Sequence, residues 1–155
     1  MSASLPQNKV GLIGFGELGI QLELFLKETG VTEFLYFDDH LNHAITGNFR
    51  FEEYDAEGLA QEYYVGIGYK HLDVRFRLLE RLTTLNLKFP NMIHPTSFLA
   101  KNVVKNGAVY IYPKCNVDKG VRLGRGTILN NSVTISHDSN IGQCCYISPG
   151  AILCG

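Results

Sequence analysis

Two short stretches of the chain hold residue types that do chemistry. The first is SHDSNIG, residues 136–142, in which His137 and Asp138 are neighbours. A neutral imidazole ordinarily titrates at about pH 6.5, which suits it to accept a proton as a bond forms. A carboxylate beside it can hold the ring tautomer and stabilise the imidazolium. The competing reading is a surface histidine with an acidic neighbour. The second stretch is GFGELG, where Gly14, Gly16 and Gly19 have the spacing of a dinucleotide fingerprint. Glycines let phosphate approach the backbone, and the N-terminus of a following helix attracts negative charge. Asp38, at the end of the next apolar stretch, is placed to bind ribose or base. Alone this pattern reads as NAD binding and admits an NAD-dependent oxidoreductase, which an NAD titration would separate. The surrounding region, however, is only about 80 residues and lacks the second half of a full Rossmann sheet.

The elements that must position these residues follow two different periods. From residue 8 to about 88, strand and helix alternate. KVGLIG is a short buried strand, and ELGIQLELFLKE has apolar residues at helical spacing. EFLYF is a second strand ending in Asp38 and Asp39. The stretch 41–62 predicts a loop, a short strand and a short helix. YYVGIG is a third strand, and HLDVRFRLLERLTTLN carries an apolar helical stripe through Leu72, Phe76, Leu79 and Leu82. Together these predict a small parallel sheet.

From Ile93 onward the period is six. Ile93, Leu99, Lys105, Ile111, Val117, Leu123, Leu129, Ile135, Ile141, Ile147 and Leu153 are aliphatic with the one exception of Lys105. Two places before each, from Ser97 to Ala151, every residue is small or β-branched. A fixed six-residue repeat is neither helix nor simple strand and signals a solenoid. Three hexads close a triangular coil of 18 residues, so Ile93 to Gly155 gives about three and a half coils. Each aliphatic residue then points inward onto its counterpart 18 residues away, and the small position beside it also points inward. Cys115 and Cys145 fall on inward small positions, which is a packing role. Cys144 and Cys154 are expected to point outward. Lys105 predicts an insertion, a corner or an incomplete first coil. His137 and Asp138 lie between the inward positions Ile135 and Ser139 and so project from a turn.

Composition narrows the function classes. The hydrophobic fraction is 45% and the charged fraction 19%, which fits a globular chain rather than a disordered one. The net charge is −1 with no basic run, so nucleic acid is not an expected partner. No apolar run has the ~20 residues of a membrane span. The first residues, MSASLPQNKV, lack the form of a signal peptide, and the expected location is the cytoplasm with reduced thiols. None of the four cysteines forms a CxxC pair, so no metal site is expected.

The hexads, preceded by a GxGxxG α/β region, opened by the HP of His94–Pro95 and interrupted by HD, resemble the sialic acid O-acetyltransferase and nucleotide-sugar N-acetyltransferase family. The resemblance covers nearly the whole chain. It implies a small Rossmann-like parallel α/β domain that binds a nucleotide sugar, residues 1–90, followed by a left-handed parallel β-helix acyltransferase domain, residues 91–155. The implied activity is acetyl-CoA-dependent acetylation of the amino group of a UDP- or GDP-linked 4-amino-4,6-dideoxy sugar in bacterial glycan synthesis. Acetyl-CoA serves as co-substrate, and a homotrimer carries its active sites between subunits. By the same resemblance His137 is the general base and Asp138 its acidic partner. Gly155, 18 residues after His137 and hence one coil above it, offers its backbone N–H to the thioester carbonyl. Asn130 contacts the sugar, Gly14 and Gly16 face the phosphates or sugar, Asp38 and Asp39 lie near the nucleoside, and Gly68 lies near the nucleotide. O-acetylation of a sialic-acid-like sugar and a non-catalytic protein that binds a nucleotide sugar remain alternatives.

The chain departs from the family pattern in two places. Family members often carry a histidine near the sugar where Leu18 stands, and neither His40 nor His43 is an obvious replacement. Family members also continue for several more coils, whereas this chain stops at Gly155, midway through a hexad, so a truncated β-helix domain is expected.

Overall fold

The computed structural model describes residues 9–40, 48–50, 52 and 59–155. His43, and most of the stretch 41–62 in which a short helix is expected, lie outside the described residues. Two units are distinguished: Met1–Gly68 with Arg81–Phe89, and Tyr69–Glu80 with Pro90–Gly155.

In the first unit, the apolar runs form β1 (Lys9–Ile13), β2 (Glu33–Phe37), β3 (Asn48–Phe49) and β4 (Glu62–Val65). They make one parallel sheet in the order β3-β2-β1-β4. The helix α1 (Glu17–Glu28) connects β1 to β2 and buries Leu22 and Leu26 on its apolar side. Leu12, Ile13, Phe37 and Val65 are fully buried, as the centre of a parallel sheet requires. Gly14 is left-handed, with φ +82°, and turns the chain out of β1.

The helix α2 (Leu72–Thr84) follows a 3-10 turn at Tyr69–His71. Its buried stripe differs from the expected one. Arg75, Leu78, Leu79 and Leu82 are buried, whereas Phe76 is 41% exposed. The buried face runs through positions i, i+3, i+4 and i+7 counted from Arg75, and an arginine on that face is invisible to a count of apolar residues.

In the second unit, eleven two-residue strands follow: β5 (Met92–Ile93), β6 (Phe98–Leu99), β7 (Val104–Lys105), β8 (Tyr110–Ile111), β9 (Asn116–Val117), β10 (Arg122–Leu123), β11 (Ile128–Leu129), β12 (Thr134–Ile135), β13 (Asn140–Ile141), β14 (Tyr146–Ile147) and β15 (Ile152–Leu153). They form three parallel sheets, β14-β11-β8-β5, β15-β12-β9-β6 and β13-β10-β7. Every pairing joins residues 18 apart, such as Ile93 with Ile111 and Ile135 with Leu153. Such stacked parallel rungs fit a left-handed β-helix. Its axis is filled by Val109, Ile111, Cys115, Val117, Val121, Leu123, Leu129, Val133 and Ile135.

Lys105 pairs with Leu123 without an insertion, and it stands on the first rung of its sheet, as Ile93 and Leu99 do on theirs. Its Nζ donates to the carbonyl of Val103 at 3.2 Å.

The corners repeat as regularly as the strands. Lys114, Ser132 and Gly150 are left-handed at one corner, Gly120 and Asp138 at the next, and Ala108, Gly126 and Cys144 at the third. Side chains on one coil accept from backbone N–H groups on the next: Asn91 from Val109, Ser97 from Cys115, and Asn102 from Gly120. Cys115 is buried as expected, and Cys145 packs against the core. Cys154 is exposed. Cys144 lies outside the axial core, as expected, yet is buried. A Cβ added at Gly126 would meet both the Sγ of Cys144 and the Cδ1 of Leu79, so the helix α2 covers this corner. Burial raises the pKa of the Cys144 thiol.

Candidate functional site

His137 and Asp138 follow β12 at the corner that leads to β13. The backbone there is pinned to both neighbouring coils. The N–H of Asp138 donates to the carbonyl of Lys119 at 2.9 Å, and the N–H of Ser136 donates to Leu153 at 2.8 Å. Asp138 itself is left-handed, with φ 59°. This tight turn puts both side chains into solvent and brings Nδ1 of His137 to 3.1 Å from Oδ2 of Asp138. The carboxylate favours a proton on Nδ1, which leaves the lone pair on the outward Nε2. Gly120 lies one coil below Asp138. A Cβ there would collide with Oδ1 of Asp138, so glycine makes room for the carboxylate.

Gly155 lies against His137. A Cβ built on it would approach the carbonyl oxygen of His137 to 2.7 Å, and Cε1 and Nδ1 of the ring to 3.1 and 3.2 Å. The coil therefore brings His137, Asp138 and Gly155 together. Asn130 follows β11 and occupies a different corner, separated from His137 by the strand β12. Its Nδ2 donates to the hydroxyl of Tyr146 at 2.6 Å, and its Oδ1 accepts from the N–H of Asn131 at 2.7 Å.

In the first unit, Gly14 and Gly16 flank Phe15 at the start of α1. Among the described residues no side chain caps that helix, and none lies within 4 Å of a Cβ built at Gly16. The first-turn N–H groups of α1 have no partner within the helix. Gly19 and Gly66 allow close packing, since a Cβ on either would strike the carbonyl of Gly14. Asp38 accepts from the N–H of Phe15 at 2.6 Å and from the N–H of His40 at 2.8 Å. It shapes the glycine loop. A carboxylate offers about four acceptor sites, so this does not exhaust it. Asp39 is exposed. A Cβ at Gly68 would lie 3.8 Å from Cβ of Leu18, which puts Leu18 beside the end of β4.

Three residues were not found by reading the sequence: Gly120, Arg75 and Tyr146. The period of 18 could have exposed Gly120, because it stands one coil before Asp138. Among the described residues, no group of three or more His, Cys, Asp and Glu side chains could hold a metal ion. Among them too, no helix is long and apolar enough to cross a membrane.

No family model matches the chain. A UDP-3-O-acylglucosamine N-acyltransferase of Paracidovorax citrulli is 30% identical over 61 residues, which is 39% of this chain and 18% of that protein. An acyl-[acyl-carrier-protein]–UDP-N-acetylglucosamine O-acyltransferase of Thermodesulfovibrio yellowstonii is 39% identical over 59 residues, 38% of this chain and 23% of that protein. The chain thus spans less than a quarter of the length of these curated relatives. Among solved structures, a histidine-to-asparagine mutant of perosamine N-acetyltransferase from Caulobacter crescentus, in complex with CoA and GDP-perosamine, superposes with a TM-score of 0.85 at 21% identity. That match covers 99% of this chain and 74% of the other, and it shows the fold. These curated relatives and this structural neighbour are acyltransferases.

Proposed function

We propose that the protein is an acetyl-CoA-dependent acetyltransferase acting on the amino group of a UDP- or GDP-linked 4-amino-4,6-dideoxy sugar. The observation that carries this reading is the exposed His137–Asp138 pair lying against Gly155 on a β-helix of the acyltransferase fold. His137 is the general base, and its Nε2 removes a proton from the sugar nitrogen as that nitrogen bonds to the thioester carbonyl carbon. The carbon–sulfur bond breaks, and the proton passes from the imidazolium to the departing thiolate, giving free CoA. Asp138 holds the ring and stabilises its charged form. The backbone N–H of Gly155 faces the developing oxyanion.

The glycine loop of the Rossmann-like first unit binds the nucleotide. Gly14, Gly16 and the uncapped start of α1 receive the diphosphate, with Asp38, Asp39 and Gly68 around the nucleoside. Asn130 contacts the sugar. Asn130 and His137 occupy different corners of one coil, which supports a site completed between two copies in a homotrimer. The Caulobacter neighbour, with its bound CoA and GDP-perosamine, supports both substrate classes.

The test is to incubate the protein with acetyl-CoA and a panel of UDP- and GDP-linked 4-amino sugars, alongside their 4-hydroxy counterparts and sialic acid, and to follow free thiol. Release that depends on a 4-amino sugar is the expected result. Release with hydroxyl acceptors alone would make this an O-acetyltransferase. Binding of nucleotide sugars without release would make it a binding protein. A related expectation concerns Gly120→Ala, which pushes the Asp138 carboxylate aside and strains a left-handed turn. Turnover should fall on the order of tenfold to a hundredfold with little change in the KM for acetyl-CoA. Turnover within about twofold of wild type would show that the carboxylate position is unimportant.

A further inference from the structure

We infer that Tyr146 is a positioning residue which holds Asn130 as a hydrogen-bond donor and thereby decides which ligand groups that corner accepts. The inference rests on the proposed sugar-binding role of Asn130 and assigns its polarity. A backbone N–H can only donate. The side-chain atom of Asn130 that meets the N–H of Asn131 at 2.7 Å must therefore be the carbonyl oxygen. The amide nitrogen then faces Tyr146, and it can only donate, so the hydroxyl of Tyr146 is the acceptor at 2.6 Å. The Tyr146 ring is steadied by the ring of Tyr69, 5.0 Å away between centroids.

With both contacts made, the corner has a defined surface chemistry. Asn130 keeps one free N–H, and Tyr146 keeps its own O–H. Neither has a further hydrogen-bond partner among the described residues. The remaining Asn130 N–H is a donor held in place by the Tyr146 contact, while the Tyr146 hydroxyl and the Asn130 oxygen each keep a lone pair. A ligand group that pairs with this N–H must be an acceptor: a sugar hydroxyl, a ring oxygen, or the lone pair of an uncharged amine. An ammonium group cannot take that bond. The Asn130 N–H thus favours an oxygen-bearing sugar face, or an acceptor amine in its reactive, neutral form.

The test uses the full chain with acetyl-CoA and its sugar nucleotide, comparing wild type, Tyr146→Phe, Asn130→Ala and the double variant. Folding is checked by thermal melting, and sugar binding by calorimetry against the nucleoside diphosphate alone. Tyr146→Phe keeps the ring and loses only the hydroxyl. It should raise the KM for the sugar about five- to tenfold, the size of one neutral hydrogen bond, and leave the KM for acetyl-CoA unchanged. In the Asn130→Ala background the same change should add nothing, because Tyr146 acts through Asn130. Asn130→Asp, which replaces the free donor with an acceptor, should weaken sugar binding more than Tyr146→Phe. An unchanged sugar KM in Tyr146→Phe, or effects that add in the double variant, would overturn the assignment while leaving the proposed reaction standing. A folded wild type that neither binds nor turns over any sugar of the panel overturns both together.

Discussion

Replacing His137 with alanine should lower kcat by two orders of magnitude or more, about 3 kcal/mol of barrier, with the KM for either substrate nearly unchanged. The side chain is 57% exposed and packs into no core, so the loss reports chemistry rather than folding. The pH dependence of the loss identifies the acceptor. An amino acceptor deprotonates by itself as pH rises, so the deficit of the variant should narrow at alkaline pH. A hydroxyl acceptor stays protonated throughout, and the deficit should persist. Asp138→Asn should cost less than His137→Ala but more than about tenfold, because an amide facing Nδ1 can donate to it and favour the tautomer whose Nε2 has no lone pair. Rates measured under saturating acetyl-CoA across the pH range would decide. A His137→Ala variant within about tenfold of wild type at neutral pH would remove His137 from the mechanism.

The β-helix was readable in the sequence because its period maps directly onto space. Each inward residue stacks on one 18 positions away, so a column of aliphatics in the sequence is a column of contacts in the structure. The same rule correctly put Gly155 beside His137. It left Lys105 open between an insertion, a corner and an incomplete first coil, and the register shows no insertion, with Lys105 on the first rung of its face as Ile93 and Leu99 are on theirs. For Cys144 it gave the direction but not the burial. The hexad frame points that side chain out of the coil, and the packing of α2 against that corner buries it. Tyr146 stayed hidden for a related reason. It points away from the axis, and its partner Asn130 is 16 residues back, off the period of the stack.

The largest stability effect should come from Arg75, a charged residue on the buried side of α2. Its side chain is fully buried. Its Nε donates to the carbonyl of Gly126 at 2.7 Å and a terminal nitrogen donates to Ala108 at 3.2 Å. Its guanidinium lies 4.6 Å from the centre of the Tyr110 ring. Ala108 and Gly126 are the left-handed residues of one corner, stacked one coil apart. Their carbonyls point out of the β-helix, where the helix covers them and water is excluded. A planar donor with several N–H groups can serve both at once, and neither Lys nor an apolar residue can. Arg75→Met keeps most of the volume and leaves buried carbonyls without these donors. It should cost about 3 kcal/mol, or roughly 6–12 °C in Tm. Arg75→Lys should recover only part of this, since one ammonium cannot reproduce the fork. Chemical denaturation of the three proteins side by side measures both differences. A loss under about 0.5 kcal/mol for Arg75→Met would show that the guanidinium is no more than a space-filling stem, and that the buried carbonyls find other donors when it is gone.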